Sequence, residues 1–190
     1  MKDVLLHSIN YAVKCHQGTN HFYDKVHPYK VHLHAVYNTA LKFKHLIPNE
    51  FLDDVLAACW LHDVIEDTRQ TYNDVKEQTN EHIAEIVYAL TNEKGKTRSE
   101  RANEKYYAGI RANKHAIFVK LCDRIANMEY SKQKGSGMYK KYVMELQDFL
   151  NHIMADFAYP EMSAHLWKLV QPEFKESEYI NKYDLTCESL

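Results

Sequence analysis

Apolar residues recur along this chain at the three- and four-residue spacing of amphipathic helices almost from end to end. A first helix is predicted over residues 4–15, and residues 17–27 break the period and read as a loop. Pro28 suits the first turn of a second helix, where its missing N–H costs nothing. Asn49 is placed to cap a third helix, with Glu50, Asp53 and Asp54 at its positive end and Phe51, Leu52, Val55, Leu56 and Cys59 as its buried stripe. Short helices are expected after Thr71 and after Asn80, the latter burying Ile83, Ile86, Val87 and Leu90. Residues 92–101 are polar and basic and read as an exposed loop running into a helix that continues to Asn113. The strongly apolar residues 116–128 are expected at the centre of the molecule. A last amphipathic helix carries Tyr139, Tyr142, Val143, Leu146, Phe149, Leu150 and Ile153.

Composition narrows this to an all-α class. With 5 Gly and 4 Pro in 190 residues there are few breakers, and there is neither an internal repeat nor a linker. One domain over residues 1–170 and a polar tail over 171–190 are expected. A net charge of -2 gives no field that would draw the chain to nucleic acid or an anionic membrane. Cys15, Cys59, Cys122 and Cys187 form no CxxC pair, which suits reduced thiols in the cytoplasm. The start, MKDVLLHSIN, reads as neither a signal peptide nor an anchor.

The chemistry gathers in CWLHDVIEDT, residues 59–68. On a continuous helix, Leu52, Val55, Cys59, His62, Asp63 and Glu66 share one stripe, at ~100° per residue. Polar groups on an inward stripe need compensation, and a divalent cation of the Mn, Fe, Co, Ni or Zn kind is the simplest partner for imidazole and carboxylate. A buried His62–carboxylate ion pair is the plainer alternative, but the acids or imidazole at 62, 63, 66 and 67 together weigh against it. Further ligands come from VKLCDRIANM, where Asp123, Asn127 and Lys120 share a face opposite Phe118, Leu121, Cys122 and Ile125. PYKVHLHAV supplies His32 or His34, and spacing does not choose between them.

In order and separation, His32, His62-Asp63 and Asp123 match the H…HD…D signature of the HD superfamily. LHDVIEDT resembles the LHDxxEDT motif of RelA/SpoT-type hydrolase domains and the small alarmone hydrolases, and VKLCDRIANM is similar to their VKLADRLxNM. PYKVH resembles PYxxH, which selects His32, and CHQGT resembles AHxGQ. MYKKYVMELQDF loosely resembles MYxxExxxF, with Tyr142 where the Glu falls. The resemblance runs from about residue 11 to 150. It implies a single-domain helical bundle with a central metal site: one divalent ion, Mn²⁺ or similar, on His32, His62, Asp63 and Asp123. It also implies hydrolysis of the 3′-pyrophosphate of a guanosine alarmone, a small-molecule nucleotide partner. Glu66 and Asp67, one turn on, would orient or deprotonate the attacking water.

Where the family often has a basic cluster, this chain has Asn20, His21, Phe22 and Tyr23, with only Lys25 nearby. That departure keeps other substrates open: a nucleoside 5′-monophosphate, a dNTP or a phosphorylated nucleic-acid end. A non-catalytic regulatory module is a third reading. Candidate substrate contacts are Lys14, Lys120, Arg124, the loop cations Lys94, Lys96, Arg98 and Arg101, Asn127, and Tyr139 or Tyr142 as a stacking ring. His82 and His115 are expected on the surface, not as a close pair, so one metal is expected. Self-association is compatible with the sequence but marked by no patch.

Overall fold

The computed structural model describes residues 2–171. Its elements are α1 (Lys2–Gly18), β1 (Phe22–Tyr23), β2 (His27–Pro28), α2 (Lys30–Lys42), α3 (Asn49–Leu61), α4 (Val64–Asp67), α5 (Tyr72–Gln78), α6 (Glu81–Leu90), α7 (Arg98–Arg101), α8 (Glu104–Ala112), α9 (Lys114–Gln133), α10 (Gly137–Met144), α11 (Leu146–His152), α12 (Ala155–Ala158) and α13 (Pro160–Val170). Apart from the small hairpin, the architecture is the expected all-α bundle.

Two helices make its centre. Every residue of α3 from Val55 to Leu61 is buried, the mark of a helix surrounded by others, and α1, α2, α6 and α9 pack around it. Along α9, Ile117, Phe118, Leu121, Cys122, Ile125 and Met128 are buried against α2, α3, α6 and α8. The expected central position of residues 116–128 is therefore met. No described helix is long and apolar enough to cross a membrane.

Local chemistry explains most boundaries. Thr71 closes a capping box with Asp74, and the Asn80 side chain accepts the Ile83 N–H at 2.8 Å. Asn103 and Asn113 cap α8 and α9 in the same way, and α8 is the helix expected to continue to Asn113. The last amphipathic segment divides at Glu145 into α10 and α11, and α13 follows, with Pro160 in its first turn. Pro48, not Asn49, occupies the cap of α3, and Asn49 is the first helical residue. Pro28 lies in β2 rather than in a helical turn, because residues 17–27 fold back as a hairpin that pairs Phe22 with Pro28 and Tyr23 with His27. Asn20, Asp24 and Lys25 take positive φ in that hairpin. The segment after residue 171 lies outside the described residues.

Candidate metal centre

The expected continuous stripe through Glu66 does not form. Helix α3 stops at Leu61, His62 and Asp63 make the turn, and α4 begins at Val64. The His62 Nδ1–H takes the Cys59 carbonyl oxygen at 2.9 Å, an acceptor left over at the helix end, and this turns Nε2 inward. His32, in the first turn of α2, meets it: the two Nε2 atoms are 3.2 Å apart, both rings buried. His34 points elsewhere, exposed and bonded to Asn38, so His32 is the one that faces His62. Asp63 Oδ2 lies 2.9 Å from His62 Nε2 and 3.6 Å from His32 Nε2. From α9, Asp123 Oδ1 lies 3.4 Å from His32 Nε2 and 3.9 Å from His62 Nε2.

These groups are short of positive charge. Burial opposes the His32 imidazolium, but hydrogen bonds to Asp123 and Asp63 outweigh it and push the ring up to about 9. His62 is raised in the same way, chiefly by the Asp63 charge against burial. Against burial, His62 and His32 hold Asp63 well below the usual carboxylate range, while Lys120 and the histidines do so for Asp123. Two inward imidazole nitrogens flanked by two ionised carboxylates fit a divalent cation, and the ligand atoms of His32, His62 and Asp123 all lie within 4.8 Å of one another. Asp63 Oδ2 lies close to the same imidazoles and also accepts the Tyr29 hydroxyl at 2.5 Å.

Residues 8–156 match the HD domain family. The chain belongs to that family. It is 29% identical over 126 residues to the zebrafish (Danio rerio) guanosine-3′,5′-bis(diphosphate) 3′-pyrophosphohydrolase MESH1, covering 66% of this chain and 67% of the relative. Against the Aquifex aeolicus guanosine-3′,5′-bis(diphosphate) 3′-pyrophosphohydrolase it is 29% identical over 177 residues, 82% of this chain but 24% of the relative. The solved structure of a metazoan SpoT orthologue, described as hydrolysing ppGpp, shares the fold with a TM-score of 0.68 at 21% identity, covering 87% of this chain and 92% of that one. A chain of this family is a metal-dependent phosphohydrolase that binds a divalent metal, and the His32, His62 and Asp123 cluster could hold it.

Two cavities flank the HD centre. The first, about 120 Å³, is lined by Lys120, Asp123, Arg124, Asn127 and Tyr142, with Asn92 and Tyr106 opposite. Lys120 Nζ is 3.1 Å from Asp123 Oδ2; burial works against its charge, but Tyr106 and Asp123 keep it protonated. Asn127 donates to Asp123 Oδ1 at 2.6 Å and accepts from the Tyr23 hydroxyl at 3.1 Å. The Arg124 guanidinium lies 4.0 Å from the Phe149 ring centroid and 4.8 Å from that of Tyr142. The second cavity, about 230 Å³, is lined by His16, Asn20, His21, Phe22, Tyr29 and Lys30. Here the Tyr29 ring stacks against both His16 and His21, with centroids at 4.4 and 4.0 Å, and Tyr23 stacks on His32 at 5.0 Å.

The two acids of the EDT segment part company. Asp67 is half-buried, 3.5 Å from His21 Nδ1, and burial, then the Asp63 and Glu66 charges, push it up to about 7. Glu66 is exposed and accepts from the Asn92 amide at 2.6 Å, at the rim of the first cavity. Of the other expected contacts, Lys14 is exposed on α1 and lines neither cavity. Tyr139 donates its hydroxyl to the Leu169 carbonyl at 2.7 Å, so Tyr142 is the ring that reaches the cavity. His82 and His115 correct the expectation of separated surface residues: they are partly buried, with ring nitrogens 3.0 Å apart. In the sequence alone, His16 and Tyr29 carry no role, and His21 and Tyr23 stand only as a departure from the family's basic cluster. The CHQGT and PYKVH matches cover His16 and Tyr29, whereas His21 and Tyr23 reach the centre through the hairpin.

Proposed function

We propose that this HD protein removes the 3′-pyrophosphate from a (p)ppGpp-like nucleotide, with Mn²⁺ as its ion, in the cytoplasm. The observation that carries the reading is the facing pair of imidazole nitrogens between two carboxylates, open to a cavity whose wall is Lys120, Arg124, Asn127 and Tyr142. His32, His62, Asp63 and Asp123 would hold the ion, which supplies Lewis acidity and a water made acidic enough to ionise near neutral pH. Lys120 and Arg124 place positive charge where phosphate oxygens would lie. Asp67, held near neutral pH, is suited to take the proton of the attacking water as its oxygen bonds to the 3′-phosphorus. The 3′-oxygen leaves with a proton as a hydroxyl, and pyrophosphate departs. Glu66, anchored by Asn92, positions the edge of the cavity rather than the water. Names borne by the zebrafish and Aquifex relatives support the substrate class.

A second reading, another nucleotide at the same centre, is favoured by the wall of His16, His21, Tyr23 and Tyr29 where a basic cluster would stand. Product release from ppGpp, ppApp, dNTPs and nucleoside monophosphates with added Mn²⁺ decides between them. Pyrophosphate from ppGpp supports the first reading, and turnover of another nucleotide alone selects the second. No turnover with metal bound would overturn both.

A further inference from the structure

Asp54 on α3, His82 near the start of α6 and His115 near the start of α9 form a second polar cluster. Asn80 Nδ2 donates to Asp54 Oδ1 at 3.1 Å, fixing the carboxylate. Asp54 Oδ2 then lies 2.8 Å from His82 Nδ1, so this nitrogen carries the proton and donates. The other nitrogen, Nε2, keeps its lone pair and faces His115 Nδ1 at 3.0 Å. Phe51 walls off both rings, with centroids 5.3 Å from His82 and 5.0 Å from His115. Burial, then the neighbouring His82 and Lys114, hold His115 below the ordinary imidazole range, so it is neutral at pH 7.

Two imidazole nitrogens bound to one ion at about 2.1 Å stand roughly 3.0–3.4 Å apart, for bond angles between square and tetrahedral. A carboxylate taking the far N–H of a ligating histidine is the usual support of such a ligand, since it fixes tautomer and ring orientation. Both features are present here. We propose that His82 Nε2 and His115 Nδ1 form a seat for a borderline transition ion, Zn²⁺, Ni²⁺ or Cu²⁺, with Asp54 orienting His82 and water completing the coordination. Imidazole pairs favour these ions over Mg²⁺ or Ca²⁺.

This seat is not a second ion of the HD centre. Asp54 precedes His62 by eight positions along α3, and His115 precedes Asp123 by eight along α9. At 1.5 Å per residue that is about 12 Å along each helix. An ion here ties together three helices, of which α3 runs into His62 at its far end and α9 carries Asp123 at its middle, and so braces α3 against α9.

The test is metal stoichiometry on the full chain, stripped with chelator and dialysed against Ni²⁺ or Zn²⁺. Wild type should bind two equivalents, and H82A and H115A one each. H62A should keep the outer equivalent, and with Cu²⁺ that variant should show an electron paramagnetic resonance spectrum with nitrogen couplings from two imidazoles. D54N should weaken the outer site without abolishing it, and circular dichroism with H115Q as a milder substitution guards against misfolding. H82A should turn over substrate at saturating Mn²⁺ as wild type does. One equivalent in wild type, kept in H82A and lost in H62A, overturns the proposal and leaves the HD centre standing, with the close pair then sharing a proton. One equivalent lost in H82A and kept in H62A supports the proposal and removes the HD metal instead.

Discussion

Asp63 Oδ2 accepts the Tyr29 hydroxyl at 2.5 Å while standing 2.9 Å from His62 Nε2, so a single oxygen is held between a phenol and an imidazole. Burial and the charges of Asp63 and Asp67 push the Tyr29 phenol far above its usual range, which keeps it a donor. Tyr29→Phe removes the bond and little else, since the ring keeps its contacts with His16 and His21. Metal affinity should fall about 10-fold or more, the scale for losing a group that orients a ligand. A binding isotherm identical to wild type would show that Asp63 needs no such support.

Protons compete with the metal at His32, whose folded value of about 9 lies above the unfolded 6.5. Metal affinity should therefore rise with pH up to about 9, each ion displacing protons. The metal-free protein has the opposite trend. Its gain from the raised imidazole is full below about 6.5 and is lost as pH passes through about 9. Thermal melts with and without Mn²⁺ from pH 6 to 9 check both signs; parallel trends would contradict the ligand assignment of His32.

Asp67 and Glu66 should separate kinetically. With Asp67 raised to about 7, ionised base is lost as pH falls through that value, and kcat/KM should fall with it; bound metal draws the limb lower. Asp67→Asn should cost roughly 10²–10⁴ in kcat and erase the limb. Glu66→Gln keeps an acceptor for Asn92 and should spare metal binding and most of kcat, acting on KM. Equal losses in the two variants would put Glu66 at the water after all.

Tyr142 and Tyr139 lie three positions apart and do different work. Tyr142→Ala opens the cavity and uncovers Arg124, so KM should rise while metal binding stays unchanged. Tyr139→Phe loses the hydroxyl bond to Leu169, about 1 kcal/mol of stability, and leaves KM alone. Steady-state kinetics with a denaturant melt distinguishes them, and a KM effect in Tyr139→Phe would reassign the stacking ring.

Periodicity and composition determined the helical class, the buried runs of α3 and α9, and the caps at Thr71 and Asn80, because apolar spacing and capping chemistry act within a few residues. The order of His32, His62, Asp63 and Asp123 was equally legible, since a signature is a property of the chain itself. Tertiary structure decided the rest. It ended α3 at Leu61, turned Glu66 to the rim and Asp67 to the interior, and made the choice of His32 over His34 a matter of burial. It also folded residues 17–27 into a hairpin that lays Tyr23 on His32, and it joined His82 to His115 across α6 and α9. These contacts link residues 9 to 46 positions apart, so they depend on how the helices and the hairpin pack and leave no local periodic trace in the sequence.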